Sequence, residues 1–249
     1  MRYLTFVTFM TAALILPASG VAGQARGGAA RGGAARFEVT SLRAVRPILA
    51  KTVADLEKKD VAAAKRDMED YDNAWNGVEV YVNTRSKEMY DDIEHNWQTK
   101  VTEALNKPNP DAAAILADAK SMLAKYDEML AMVDKAPPLN ALYDDVARLR
   151  IERSHLREVT PALKAGDIAR AKKAFNAFND NWDNIEDLVK ARSRESYDAI
   201  EKGMVTIERQ LMPTKPDVDQ VNATVASVMM EYNKVVAQVA TEARNAAAK

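Results

Sequence analysis

Residues 75–94 read WNGVEVYVNTRSKEMYDDIE, and residues 182–201 read WDNIEDLVKARSRESYDAIE. Shifting the chain against itself by 107 positions pairs identical residues at Asp60, Ala62, Ala64, Lys65, Trp75, Glu79, Val82, Arg85, Ser86, Glu88, Tyr90, Asp91, Ile93 and Glu94. So many coincidences at one spacing mark a tandem duplication, and a repeat must be found before any other fold assignment.

Upstream of the repeat core, Leu42, Val45, Leu49, Val53 and Leu56 recur at spacings of three and four, the stripe of a helix over residues 37–58. Pro47 either bends that helix or marks its first turn. Asp60 and Asp167 suit N-caps, and Gly166 suits the closing of the helix before Asp167. From Val61 to Leu105 the apolar positions keep helical spacing. A continuous helix there would reach about 70 Å at 1.5 Å per residue, so a break is expected near residues 83–86 and again near 190–193. The connectors KPNPD (107–111) and PTKPD (213–217) stand at equivalent places, the spacing changing to 106 there. Pro110 and Pro216 suit a first helical position, with Asp111 and Asp217 complementing the helix dipole. LRAVR at 42–46 is echoed by LRIER at 149–153. The expected fold is all-α: a four-helix unit duplicated in tandem, giving paired or interlocked up-down bundles.

The 47% hydrophobic content with only 6% aromatics favours helices over sheets. Residues 1–23 carry an early Arg2, an apolar run and small residues, the pattern of a secretory signal peptide. That run is shorter than the roughly 20 residues a bilayer crossing needs, so the mature chain is expected to be periplasmic or secreted and not membrane-spanning. Residues 24–37 form an Arg/Gly/Ala spacer expected to be flexible, followed by repeat 1 over 38–135 and repeat 2 over 139–249, with Ala136-Pro137-Pro138 between them. Absence of cysteine removes disulfide and thiol chemistry. The arginines before residue 37 contribute to the overall −1; without them the remainder carries about −5, which disfavours nucleic acid.

Glu79 and Glu186 each follow a tryptophan by four residues, on the face expected to point inward. A buried carboxylate needs an answering group. One answer is an arginine of the neighbouring helix, Arg43 or Arg46, repeated as Arg150 or Arg153; such repeated charge pairs are more often structural than functional. The other is a hard cation held by oxygen ligands. Glu88, Asp91 and Glu94, repeated as Glu195, Asp198 and Glu201, make slanting carboxylate rows beside Tyr90 and Tyr197. Those rows could collect iron or another divalent or trivalent cation, or form a wet face neutralised by Arg85, Lys87, Arg192 and Arg194. His95 and His155 have no counterparts in the other copy, and no Walker loop, nucleophile elbow or dinucleotide fingerprint occurs.

The segment Asp60 to Lys65 with Tyr71, Trp75 and Val78-Glu79, echoed by Gly166-Asp167, Ala171-Lys172, Trp182 and Ile185-Glu186, resembles the opening repeat of imelysin-like periplasmic proteins, among them partners of iron permeases. The resemblance implies a helical exported protein with a role in iron uptake and a membrane iron permease or other envelope protein as partner. The family's G-x-H-x-x-E signature is missing: His155-x-x-Glu158 has Arg153 in place of the glycine. The functional expectation is an exported, non-enzymatic bundle that binds a metal ion, iron first, or serves an iron-uptake system. The alternative is a metal-free structural adaptor that holds an envelope partner.

Overall fold

The computed structural model describes residues 36–247, so the expected signal peptide and residues 24–35 of the spacer lie outside the described part. The described chain is all-α, with no strand. Residues 36 and 37, assigned to the spacer, belong to the fold: α1 begins at Phe37, and the Arg36 guanidinium donates to the carbonyls of Val133 and Ala136. Those carbonyls lie at the end of α6, where Val133 O keeps only the Ala136 amide at 3.2 Å, so an arginine there acts as a cap.

The first half runs α1 (Phe37–Glu57), α2 (Val61–Val78), α3 (Val80–Arg85), α4 (Lys87–Asp91), a π-helical segment (Asp92–Gln98), α5 (Thr99–Leu105) and α6 (Ala112–Lys135). The second runs α7 (Leu142–Lys164), α8 (Ile168–Asn181), a 3₁₀ turn (Trp182–Asn184), α9 (Glu186–Arg192), α10 (Arg194–Leu211) and α11 (Val218–Ala247). The long apolar stretch of each half is interrupted where a break was expected. Ser86 and Ser193 are both extended, and each hydroxyl accepts from the amide three residues on. A further interruption, not foreseen, falls at Glu79 and across Trp182–Ile185.

Asp60 and Asp167 are N-caps, their carboxylates accepting from the amides of Ala63 and Arg170. Just before them Lys59 and Gly166 both take positive φ, 60° and 75°. Asp111 and Asp217 are also caps, accepting from Ala113, Ala114 and Gln220. Pro110 and Pro216 therefore stand outside the helices and not at their first positions. Pro47 sits inside α1, ten residues past its start.

In the first half α1 packs on α2 and α6, and the π segment with α5 closes on α6 and α2; in the second α7 packs on α8 and α11, and α10 on α11. α2 also lies along α7, so the two halves share one continuous hydrophobic core. The approach is close at Gly77, where a Cβ would stand 2.8 Å from Ile151 Cγ1 and 3.2 Å from its Cα. Each half ties its last helix to its first through one phenol: Tyr126 donates to Leu42 O at 2.9 Å, and Tyr232 to Leu149 O at 2.8 Å.

Core positions of the halves coincide, but at two spacings. Leu42, Leu49, Tyr71, Trp75, Val82 and Ile93 match buried residues 107 positions on; Val101, Leu105, Ile115, Met122 and Tyr126 match buried residues 106 on. The first half thus holds one extra residue, and it falls between Ile93 and Val101. The π segment occupies that interval, whereas α10 runs through the same place as a regular helix. A π turn closes its hydrogen bond over one more residue than an α turn, so it absorbs an insertion while the flanking turns stay in register. The change of spacing lies inside a helix and not in the connector.

Candidate functional site

The acids singled out from the sequence do not converge. Glu79 is half-buried and accepts from Arg150 Nη1 at 3.0 Å. The expected partners are elsewhere: Arg43 meets Asp134 at 3.1 Å and Arg46 meets Asp127 at 2.5 Å, both on α6. Glu186 accepts from the Tyr197 hydroxyl at 3.1 Å, and Arg153 donates to Asn233. The pair is not repeated because α2 lies against α7 at the seam of the two halves. Burial pushes the Glu79 carboxyl up, with the Arg150 charge opposing.

The carboxylate rows split. Glu88 and Glu195 are exposed. Asp91 meets Lys87 at 2.7 Å, and Asp198 meets Arg194 at 2.8 Å. The third members turn inward, Glu94 accepting the Trp75 indole N–H and Glu201 that of Trp182. The acid engaged with each tryptophan is thus the one at the end of the repeat core, not the one four residues on. Arg85 and Arg192 do not neutralise these rows: Arg85 pairs with buried Glu38 at 2.6 Å, and Arg192 lies 3.4 Å from Glu242. His95 lies 3.8 Å from Asp91, and His155 lies 3.9 Å from Glu152. Among the described residues no group of three or more His, Asp or Glu could hold a metal ion. Asp180, Asp183, Glu186, Glu201 and Glu208 do line an open depression of about 520 Å³ on the second half.

A cleft of about 540 Å³ lies between the halves. α2 and α5 supply one wall, α7 and the start of α8 the other, and the π segment its inner end. Met68, Leu105 and Pro161 contribute apolar surface. A polar chain crosses the seam: Gln98 Nε2 donates to Asp72 Oδ1 at 2.8 Å, Arg157 Nη2 meets Asp72 Oδ2 at 2.6 Å, and Arg157 Nε donates to Asn73 at 3.0 Å. Asn73 Nδ2 then donates to Glu158 at 2.7 Å, and Arg170 Nε meets Glu158 at 2.6 Å. Burial raises both the Glu94 and Glu158 carboxyls, opposed by the Trp75 indole and by Arg170.

Gln98 is the unusual member. It is 7% exposed, and its Oε1 is buried with no hydrogen-bond partner. Asp72 accepts only, which fixes the amide nitrogen on that side and leaves the carbonyl unanswered. A buried acceptor in that state costs about 1–3 kcal/mol. At the second spacing its counterpart is buried Met204. Sequence reasoning missed Gln98, Asp72 and Arg157; the signal was a polar residue on the apolar stripe of one copy, visible only once the spacing of 106 is used.

The chain matches no family model, no curated protein and no solved structure. The likeness to imelysin-like proteins rests on the residues quoted for it alone.

Proposed function

We propose that the protein is an exported, non-catalytic binding protein whose capture site is the cleft at the seam of its two halves. The observation that carries this reading is the cleft itself, about 540 Å³ between the halves and sized for a small ligand, with Met68, Leu105 and Pro161 beside polar side chains in its lining. The Asp72, Asn73, Arg157 and Glu158 chain supports it, because side chains that hold one another are placed before a ligand arrives. The same residues support a binding role over catalysis, since the acids at the cleft are already engaged with amide, guanidinium or indole donors.

The test is a thermal-shift screen of a chemically diverse small-molecule panel against the wild type and Thr102→Trp. Thr102 is exposed on the cleft wall, so the indole would fill the cleft without disturbing the core. A ligand at a hundredfold excess over its Kd stabilises by about 2.7 kcal/mol, a rise of roughly 5–10 °C for a chain of this size. The reading fails if nothing shifts the wild type, or if every shift survives Thr102→Trp.

A cation carrier serving an iron permease is the second reading; it rests on the resemblance of residues 60–79 to imelysin-like proteins and on no preformed group of ligands among the described residues. Titration of the metal-free protein with Fe³⁺ and Fe²⁺ tests it. No binding tighter than about millimolar, the weak end for carboxylate-rich extracellular sites, ends it.

A further inference from the structure

We infer that the cleft is gated: the two halves hinge about the linker end of the α2–α7 seam, and an ionic latch at the cleft end holds them shut. As regulation of the capture site this rests on the cleft being that site. The motion itself rests on how the seam is built.

The two ends of the seam are held by different means. α2 and α7 run antiparallel across it, so their contacts fall in order from Tyr81 and Asp144 at one end to Asp72 and Arg157 at the other. At the linker end Tyr81 is fully buried and donates to Asp144 at 2.7 Å, and the Arg148 guanidinium lies 4.9 Å from the centre of the Phe37 ring. Gly77 packs against Ile151 with no room for a Cβ. Arg85, buried against Glu38, donates to Pro137 O of the linker at 2.9 Å. Surfaces packed this closely part only by leaving a void, so this end is the pivot.

At the cleft end the halves meet through charge. Arg157 meets Asp72 at 2.6 Å with the two side chains 34% and 45% exposed, and Arg170 stands 3.7 Å from Glu69 and 3.8 Å from Asp70. Exposed pairs are individually weak and are screened by salt. Opening them strands no charge, because Arg170 keeps Glu158 and Asp72 keeps Gln98, each within its own half. The cleft stands beside these pairs, so packed surface is missing at the end where the seam depends on them. Few buried contacts and exposed polar bonds mark the places where a structure opens locally. Closed, the latch sets the side chains of the cleft in place; open, it admits a ligand. From Gly77 to Lys65 α2 spans about 18 Å, so a rotation of about 15°, the size of known interface rotations, widens the mouth by about 5 Å.

The experiment is distance measurement between spin labels by pulsed electron paramagnetic resonance. The chain has no cysteine, so introduced pairs report without background. Glu103→Cys with Ala169→Cys spans the cleft mouth, and Thr84→Cys with Ala141→Cys spans the linker end; all four residues are exposed. Raising sodium chloride from about 0.01 M to about 1 M cuts the screening length from about 30 Å to about 3 Å. The mouth distance is expected to gain a population about 5 Å longer, while the linker-end distance stays fixed. Arg157→Gln with Arg170→Gln is expected to give the longer distance already at low salt and to abolish the salt response. A mouth distance indifferent to salt, or equal lengthening at both ends, overturns the inference, and the salt series needs no latch variant to fold. A rigid mouth beside thermal shifts that Thr102→Trp abolishes overturns the gate and leaves the capture site standing. A mouth that opens in a protein no small molecule stabilises supports the hinge and ends the reading of the cleft as a capture site.

Discussion

Deleting Asn96 tests whether the π segment is an absorbed insertion. Asn96 is exposed, and its side chain bonds only Asp92 one turn back, at 3.2 Å. If the wide turn holds one surplus residue, the deletion converts it to an α turn, and everything from Gln98 onward keeps its place. Val101 and Leu105, 0% and 4% exposed, then stay in the core. The expected change in unfolding free energy is within about 1 kcal/mol, the scale of a single exposed side-chain hydrogen bond. If the turn is not an insertion, one residue fewer rotates the following helix by about 100° and draws it back 1.5 Å. Val101 and Leu105 would leave the core at about 1.5–3 kcal/mol each, hence about 3–6 kcal/mol in all, a large share of a typical domain's stability.

The assay is urea denaturation followed by far-ultraviolet circular dichroism, with the midpoint reporting stability and the slope reporting the surface exposed. Deletion of Lys202, an exposed residue in regular α10, is the control. That helix has no wide turn to give up, so Met204, Ile207 and Leu211 must shift, and the deletion is expected to cost several kcal/mol. Equal damage from the two deletions refutes the insertion and, with it, the account of how Gln98 reached the cleft.

Three further outcomes follow from single residues. Tyr71 has a fully buried hydroxyl with no partner, and the second half has Phe178 in its place; Tyr71→Phe is expected to stabilise by about 1 kcal/mol in the same urea assay. Lys59→Gly relieves a left-handed backbone at φ 60° that the second half meets with Gly166, and is expected to raise stability by about 0.5–1 kcal/mol, read from the melting temperature. Burial pushes the Glu152 carboxyl up to about 7 from its ordinary 4.5, so the folded state keeps a proton the unfolded chain releases. The stability this group contributes is fullest below about pH 4.5 and declines as pH rises through 7. Glu152→Gln is expected to flatten that part of the profile, measured as denaturation midpoint against pH.

What could be read in the sequence was local. Ser86 and Ser193 interrupt the long helices, and Asp60 and Asp167 cap them, because a hydroxyl or carboxylate beside free amides acts within a few residues of itself. The partner of Glu79 could not be read in the same way. Arg150 lies on α7 of the other half, and the face along which two bundles meet leaves no period in either. Glu94 and Glu201 were legible as repeated acids, on a row that would either collect a cation or form a wet face. The indole N–H nineteen positions earlier in the chain answers each instead, since Trp75 and Trp182 point their polar edges at the helix that returns past them.

The more general difficulty concerns what a repeat shows. Three identical pairs, Trp75 with Trp182, Glu94 with Glu201 and Tyr126 with Tyr232, do the same work twice: each ties one helix of a half to another. Identity at these repeat positions therefore points first to what each half needs in order to close. A capability found in one half has to lie where the copies differ. The core differences gather in the first half: Thr52, Asp55, Asp67, Tyr71 and Gln98 stand where the second half has buried Val159, Ala162, Ala174, Phe178 and Met204. Every one of these exchanges places a polar atom where an apolar group satisfies the same packing, and each such atom lowers stability unless something answers it. Lys51 answers Asp55 and Asp67 from α1. Nothing in the described protein answers the Gln98 carbonyl, and of these five residues it is the one that lines the cleft.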